Sequence, residues 1–136
     1  MKIFLRIYFY QPKMLEIVRK KSINLFMGIK MHIGLILTKS PSESGFKTFI
    51  DFAQLYISNN QISIYLVGNG IYGARKNYKN QDLETIFKNS RVHVYGNDLN
   101  ARGIQDGQIK DGLTVFEHYD NLVMDIMENF DQVVSF

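Results

Sequence analysis

The sequence has no cysteine and no tryptophan, and only 2 prolines. The missing cysteine excludes disulfides, thiolate metal sites and any persulfide carried by the protein itself. It also agrees with an expected cytoplasmic location. No stretch reaches the roughly 20 apolar residues that a membrane-crossing helix needs. The run Ile3 to Tyr10 carries Arg6, stops at Pro12 and lacks a small-residue cleavage site, so it is a poor secretory signal. Among His32, His93 and His118 there is no His-x-x-x-His or His-x-x-Glu pair, so neither a metal site nor a cofactor is expected. No G-x-S-x-G elbow points to a serine hydrolase.

What is there suits one folded domain. A chain of 136 residues with 46% apolar content can bury a core without staples. The net charge of +3 is unevenly spread. Residues 1–27 hold Lys2, Arg6, Lys13, Arg19, Lys20 and Lys21 against Glu16, whereas residues 28–136 are mildly acidic. A nucleic-acid footprint would lie on the folded domain, so nucleic-acid binding is not expected. The charge break divides the chain into a basic extension, 1–27, and an α/β domain, 28–136. Three readings of the extension stand: a mis-assigned start with Met27 or Met31 as the true beginning, a basic amphipathic helix over Met14 to Phe26 at a membrane surface or partner, or an extra element packed on the domain. The first is preferred.

From Met31 onward, strand and helix patterns alternate. Met31 to Thr38 is a nearly continuous apolar run, as in a strand covered on both faces. Ser42 or Ser44 is a plausible cap for a helix to about Ser58, with Phe46, Phe49, Ile50, Ala53 and Ile57 inward. Gln61 to Val67 is the second strand and stops at Gly68. Ile71 to Lys76 has the character of a helical turn. Gln81 to Asn89 is a helix with Leu83, Ile86 and Phe87 inward, and Arg91 to Tyr95 is the third strand. Gln105 to Gly112 is a loop and Leu113 to Phe116 the fourth strand. Asp120 is a candidate cap for a last helix burying Leu122, Val123, Ile126, Met127 and Phe130. Gln132 to Phe136 is the fifth strand. The pattern predicts a three-layer α/β/α sandwich on a five-stranded, mainly parallel sheet.

The stretch Val92 to Ile104, V-H-V-Y-G-N-D-L-N-A-R-G-I, organises this layout. In open α/β sheets the loops after the strands' carboxyl ends hold ligands. Gly96, Asn97, Leu99, Ala101, Arg102, Gly103 and Ile104 fit a recognisable frame. It resembles the DsrE/DsrF-like (sulfur-relay, DsrEFH-like) family, whose members often carry a cysteine at the end of this strand. Tyr95 stands in that position. The terminal Gln132 to Phe136 strand is also similar. The resemblance implies a sulfur-relay-like fold and assembly into dimers, trimers or hexamers. The tyrosine removes the family chemistry, because a phenol cannot hold a sulfane sulfur. Tyr95 then either gates a pocket or fills space with its hydroxyl at the rim.

Gly68, Gly70 and Gly73 spell G-x-G-x-x-G, but the acid expected at the end of the next strand is absent, so a dinucleotide site is not read here. The family resemblance accounts for Gly68 and Gly70 as a Gly-x-Gly turn. Binding of a small anion by the loop N–H groups, helped by Arg75 or Lys76, is the better functional reading. His93 is expected to pack, His118 to be a solvated loop residue, and Asp98 to cap the turn Leu99 to Arg102. The strand ends supply the ligand-binding candidates Thr38, Lys39, Gly68, Asn69, Gly70, Tyr95, Gly96, Asn97, Asp98 and His118, with no catalytic residue among them. The function read from this is a non-catalytic subunit, a homo-oligomer or the partner of a cysteine-bearing DsrE-like paralogue. The alternative is a small-ligand or anion-binding protein, an enzyme among its possibilities, using the crevice at the strand ends.

Overall fold

The computed structural model describes residues 6–9, as backbone, and residues 30–136. The chain order is β1 (Arg6–Phe9), β2 (His32–Leu37), α1 (Ser44–Tyr56), β3 (Gln61–Leu66), a 3-10 segment (Gly68–Ala74) and α2 (Gln81–Lys88). It continues with β4 (Arg91–Tyr95), α3 (Gly96–Ala101), a 3-10 turn (Asp106–Gln108), β5 (Thr114–Phe116), α4 (Tyr119–Met124) and β6 (Gln132–Ser135). A π-helical turn, Asp125–Asn129, prolongs α4.

The sheet order is β1-β6-β2-β3-β4-β5, and every pair is parallel. The five strands expected from the sequence are therefore present and all parallel. The sixth, β1, comes from the basic extension and lies beside β6. The helix considered over Met14 to Phe26 lies outside the described residues. Parallel neighbours need crossovers, and the helices supply them. From β2 the chain steps outward through β3, β4 and β5, then returns across the sheet to place β6 on the other side of β2.

Two apolar layers cover the sheet. On one face Ile33, Leu35, Leu37, Ile62, Ile64, Leu66, Val92 and Val94 meet Phe46, Phe49, Ala53, Leu83 and Ile86 from α1 and α2. On the other, Tyr65, Phe116 and Val133 meet Leu122 of α4 and Phe130. The unbroken apolar text of β2 reflects this double burial.

Two capping expectations and one buried stripe are corrected. The residue before α1 is Glu43, not Ser42 or Ser44, and its carboxylate accepts the Ser40 N–H at 2.6 Å. That bond holds the Glu43 carboxyl below the usual carboxylate range. His118 precedes α4, and Asp120 sits in its first turn, where a negative charge suits the helix dipole. The last helix buries Leu122, half-buries Ile126 and exposes Val123 and Met127. Leu122, Ile126 and Phe130, spaced by four, form the contact row, and Val123 and Met127 lie beside it in solvent.

The glycine motif has a packing cause. Gly68 has φ +54°, a left-handed conformation that suits glycine. A Cβ on Gly70 would run into the Leu37 carbonyl, and one on Gly73 would lie 3.2 Å from the Phe46 ring. Gly107, by contrast, has open space around it. Gly70→Ala is therefore expected to cost about 2 kcal/mol or more by forcing backbone apart, and Gly107→Ala to stay within about 0.5 kcal/mol of the parent. Urea unfolding of both variants checks this; equal midpoints would refute the packing role.

Candidate functional site

The ten candidates at the strand ends divide into separate groups. Asp98 does not cap its own helix: α3 begins at Gly96 and has no side-chain cap. Its carboxylate instead accepts the Gly68 N–H at 2.6 Å and faces Arg102 at 3.5 Å. Arg102 also donates to the Asp98 carbonyl at 3.2 Å and to Asn69 Oδ1 at 3.0 Å. Gly68, Asn69, Asp98 and Arg102 thus form one network that clips the loop after β3 to α3. The cap expectation failed because the carboxylate found a backbone donor 30 residues away, which nothing local in the sequence marks.

Tyr95 belongs to another group. Its ring stacks on Phe116 with centroids 5.1 Å apart and lies 4.2 Å from the ring of Tyr119. Its hydroxyl accepts from the Asn97 amide at 3.0 Å. The position that the resemblance gives to a sulfur carrier is an aromatic stack with its hydroxyl at the rim. Gly96 packs against the Glu117 carboxylate. Thr38 is tied back to the end of β6, its Oγ1–H donating to the Phe136 carbonyl at 2.6 Å. Lys39 lies along Gly45 with its stem, and His118 is exposed.

None of the ten lines the cavity of about 430 Å³ found between the 3-10 segment and the turn after α3. Its walls include Tyr72, Arg75, Lys76, Arg102 and Gln108. Arg75 and Lys76 were visible in the sequence as helpers of an anion. Tyr72 was not singled out, and Arg102 only as part of the family frame.

A second, polar recess of about 410 Å³ opens at the amino ends of the strands, on the α4 face. It gathers His32, Ser63, Arg91, His93 and Asp125. His32 Nε2 and Ser63 Oγ are 2.8 Å apart. His93 stacks on Tyr65 at 4.6 Å, as packing predicted, and the Tyr65 hydroxyl donates to Asp125. Asn129 donates to the other Asp125 oxygen at 2.7 Å. Burial, then the hydrogen bond to Asp125 and its charge, raise the Tyr65 pKa. Burial lowers that of His93, against the opposing pull of Asp125 and with a smaller push from Arg91. Among the described residues no group of three or more His, Cys, Asp or Glu could hold a metal ion. No described helix is long and apolar enough to cross a membrane.

A model of the family described as "DsrH like protein" matches residues 39–132. The chain belongs to the DsrH-like family. Two solved structures are similar to it over nearly their whole length. The protein of unknown function MTH1491 from Methanobacterium thermoautotrophicum has a TM-score of 0.68 at 14% identity, covering 77% of this chain and 99% of its own. The ychN protein from E. coli has a TM-score of 0.61 at 15% identity, covering 78% of this chain and 99% of its own. At these identities the likeness concerns the fold. No curated protein matches the chain. The resemblance drawn from Gly96 to Ile104 is borne out at the level of the DsrEFH-like group, with DsrH as the branch whose model matches. This chain is a DsrH-like protein without cysteine.

Two outcomes test the polar recess. Tyr65→Phe leaves an Asp125 oxygen without its donor and is expected to cost about 1–3 kcal/mol in urea unfolding. A loss under 0.5 kcal/mol would show the bond to be dispensable. The second concerns pH. With its folded pKa below the unfolded value of about 6.5, His93 binds its proton more readily in the unfolded chain. Its contribution is complete above that pH and is lost as pH falls toward the depressed folded value. His93→Phe, which keeps a ring on Tyr65, should flatten the fall in unfolding midpoint between about pH 7 and 5. An unchanged slope would remove His93 from the account.

Proposed function

We propose that this DsrH-like protein is a non-catalytic subunit of an oligomer built from copies of this chain. Sulfur relay by the chain itself needs a thiolate, and the sequence has none. A DsrH-like frame kept without that group is suited to holding subunits together rather than carrying sulfur.

The observation that carries this reading is the outer face of α4 and its π-helical extension. Tyr119, Val123, Met124 and Met127 are all exposed there, Met127 to 67%. Tyr119 joins this face to the Tyr95 and Phe116 rings, so the apolar surface is continuous with the aromatic stack at the vacant cysteine position. Contiguous apolar surface on a small protein marks an interaction site, and methionine and tyrosine are well suited to one. A second copy is the occupant proposed, and a DsrE-like paralogue is the other outcome the test distinguishes. A cytoplasmic setting fits a cysteine-free chain of this family.

The test is native mass spectrometry of the full-length protein, alone and after Val123→Glu with Met127→Glu. Both positions are exposed, so the fold should tolerate the change. The parent is expected to form a closed oligomer and the variant to dissociate at least about tenfold more readily. A parent that is monomeric alone, yet forms a defined complex with a paralogue, would replace the homo-oligomer with a mixed assembly. A strictly monomeric parent without any partner would overturn the subunit reading.

A further inference from the structure

The cavity between the 3-10 segment and the turn after α3 lies at a distance from the α4 surface in the chain and carries a different chemistry. Arg75, Lys76 and Arg102 contribute to its wall, and among the described residues no acidic side chain does. The two sides are fixed to one another by backbone bonds. The Lys76 N–H donates to the Gln108 carbonyl at 2.8 Å, the Lys110 N–H donates to the Ala74 carbonyl at 2.8 Å, and Arg75 and Ile109 form an antiparallel bridge. A cavity braced in this way is already formed before a ligand arrives.

Two of its cations, Arg75 and Arg102, are held in place too. Arg102 is fixed from behind by Asp98 and Asn69. Arg75 donates through Nε–H to the Tyr72 carbonyl at 3.1 Å, and its guanidinium lies 5.0 Å from the Tyr72 ring centre. Its terminal N–H groups donate to no acceptor among the described residues. A guanidinium fork with free terminal donors matches the oxygens of a phosphate or sulfate group. Arg102 is already ion-paired with Asp98, so Arg75 and Lys76 are the like charges left facing one another, and a bound anion relieves their repulsion. The volume, about 430 Å³, falls in the range of small-molecule pockets and exceeds what a bare oxyanion fills. Tyr72 and Ile104 give it an apolar wall for the rest of a ligand.

We propose that this cavity binds a small organic molecule bearing a phosphate- or sulfate-type group. The oxyanion sits against Arg75, Lys76 and Arg102, and the organic part lies toward Tyr72 and Ile104. This site is independent of the subunit reading and would function in a monomer.

Amide NMR titration of the full-length protein tests the proposal, with phenyl phosphate, inorganic phosphate and phenol as probes. Phenyl phosphate is expected to shift residues 72–77 and 102–108 and to bind more tightly than inorganic phosphate, with phenol causing no shift. The double variant Arg75→Gln, Lys76→Gln, folded as judged by an unchanged amide spectrum elsewhere, should bind phenyl phosphate at least about tenfold more weakly. Added salt should weaken binding in the parent. No shift with phenyl phosphate at about 10 mM would overturn the site. So would undiminished binding in the double variant, which would place the anion elsewhere, for instance on the basic residues of 1–27. Equal affinity for phosphate and phenyl phosphate would overturn the organic part of the proposal.

Discussion

The carboxyl edge of the sheet depends on one close approach, that of the backbone at Gly70 to the carbonyl of Leu37. That carbonyl already accepts the Val67 N–H at 3.1 Å. The chain then turns at Gly68 and lays its next residues directly over the end of β2, where a Cβ on Gly70 would not fit. This closeness decides where the 3-10 segment runs, and with it the positions of Tyr72 and Arg75. It also aims the Gly68 N–H at Asp98, which in turn orients Arg102. The glycines resemble a nucleotide fingerprint in text, but here Gly68 makes a left-handed turn, Gly70 a contact between backbone segments, and Gly73 a close contact with the Phe46 ring.

The two faces of the sheet have different characters. One is an aliphatic and aromatic layer beneath α1 and α2. Among the described residues the other is covered by one short helix whose last turn is π-helical, and it mixes aromatic packing with polar groups. A π turn adds a residue to the repeat, which changes the direction in which side chains leave the helix. Asp125 opens this turn and reaches Tyr65, 60 residues earlier in the chain. The same helix therefore presents a polar inner contact and an apolar outer surface.

Much of the fold was legible because β-branched runs and helical spacing repeat cleanly from Met31 onward. Arg91 to Tyr95 was read to the residue. The α1 face was legible in Phe46, Phe49, Ile50 and Ala53, because a helix in a crossover has one buried side. The last helix was less so: Val123 and Met127 fit an apolar stripe, and sequence does not say how wide a stripe one sheet face can cover. Caps were misread where a longer-range donor won, as for Asp98, or where the residue beside the expected one took the boundary, as for Glu43. At the strand ends the residue types were visible, but their grouping was not. The cations of the cavity come from two loops brought together by backbone bonds such as that between Lys76 and Gln108.

The pairing of Arg6–Phe9 with β6 has a bearing on how the sheet ends. A row of unpaired backbone N–H and C=O groups is a template on which another chain can add itself. At the far side the outermost strand, Thr114–Phe116, is only 3 residues long and offers little to copy. Next to β6, whose Val133 and Val134 are buried, the strand from the basic extension occupies the equivalent row. A chain started at Met27 or Met31 would leave that row open, with β6 as a new outer strand. The extension thus governs which border of the sheet is closed to strand addition.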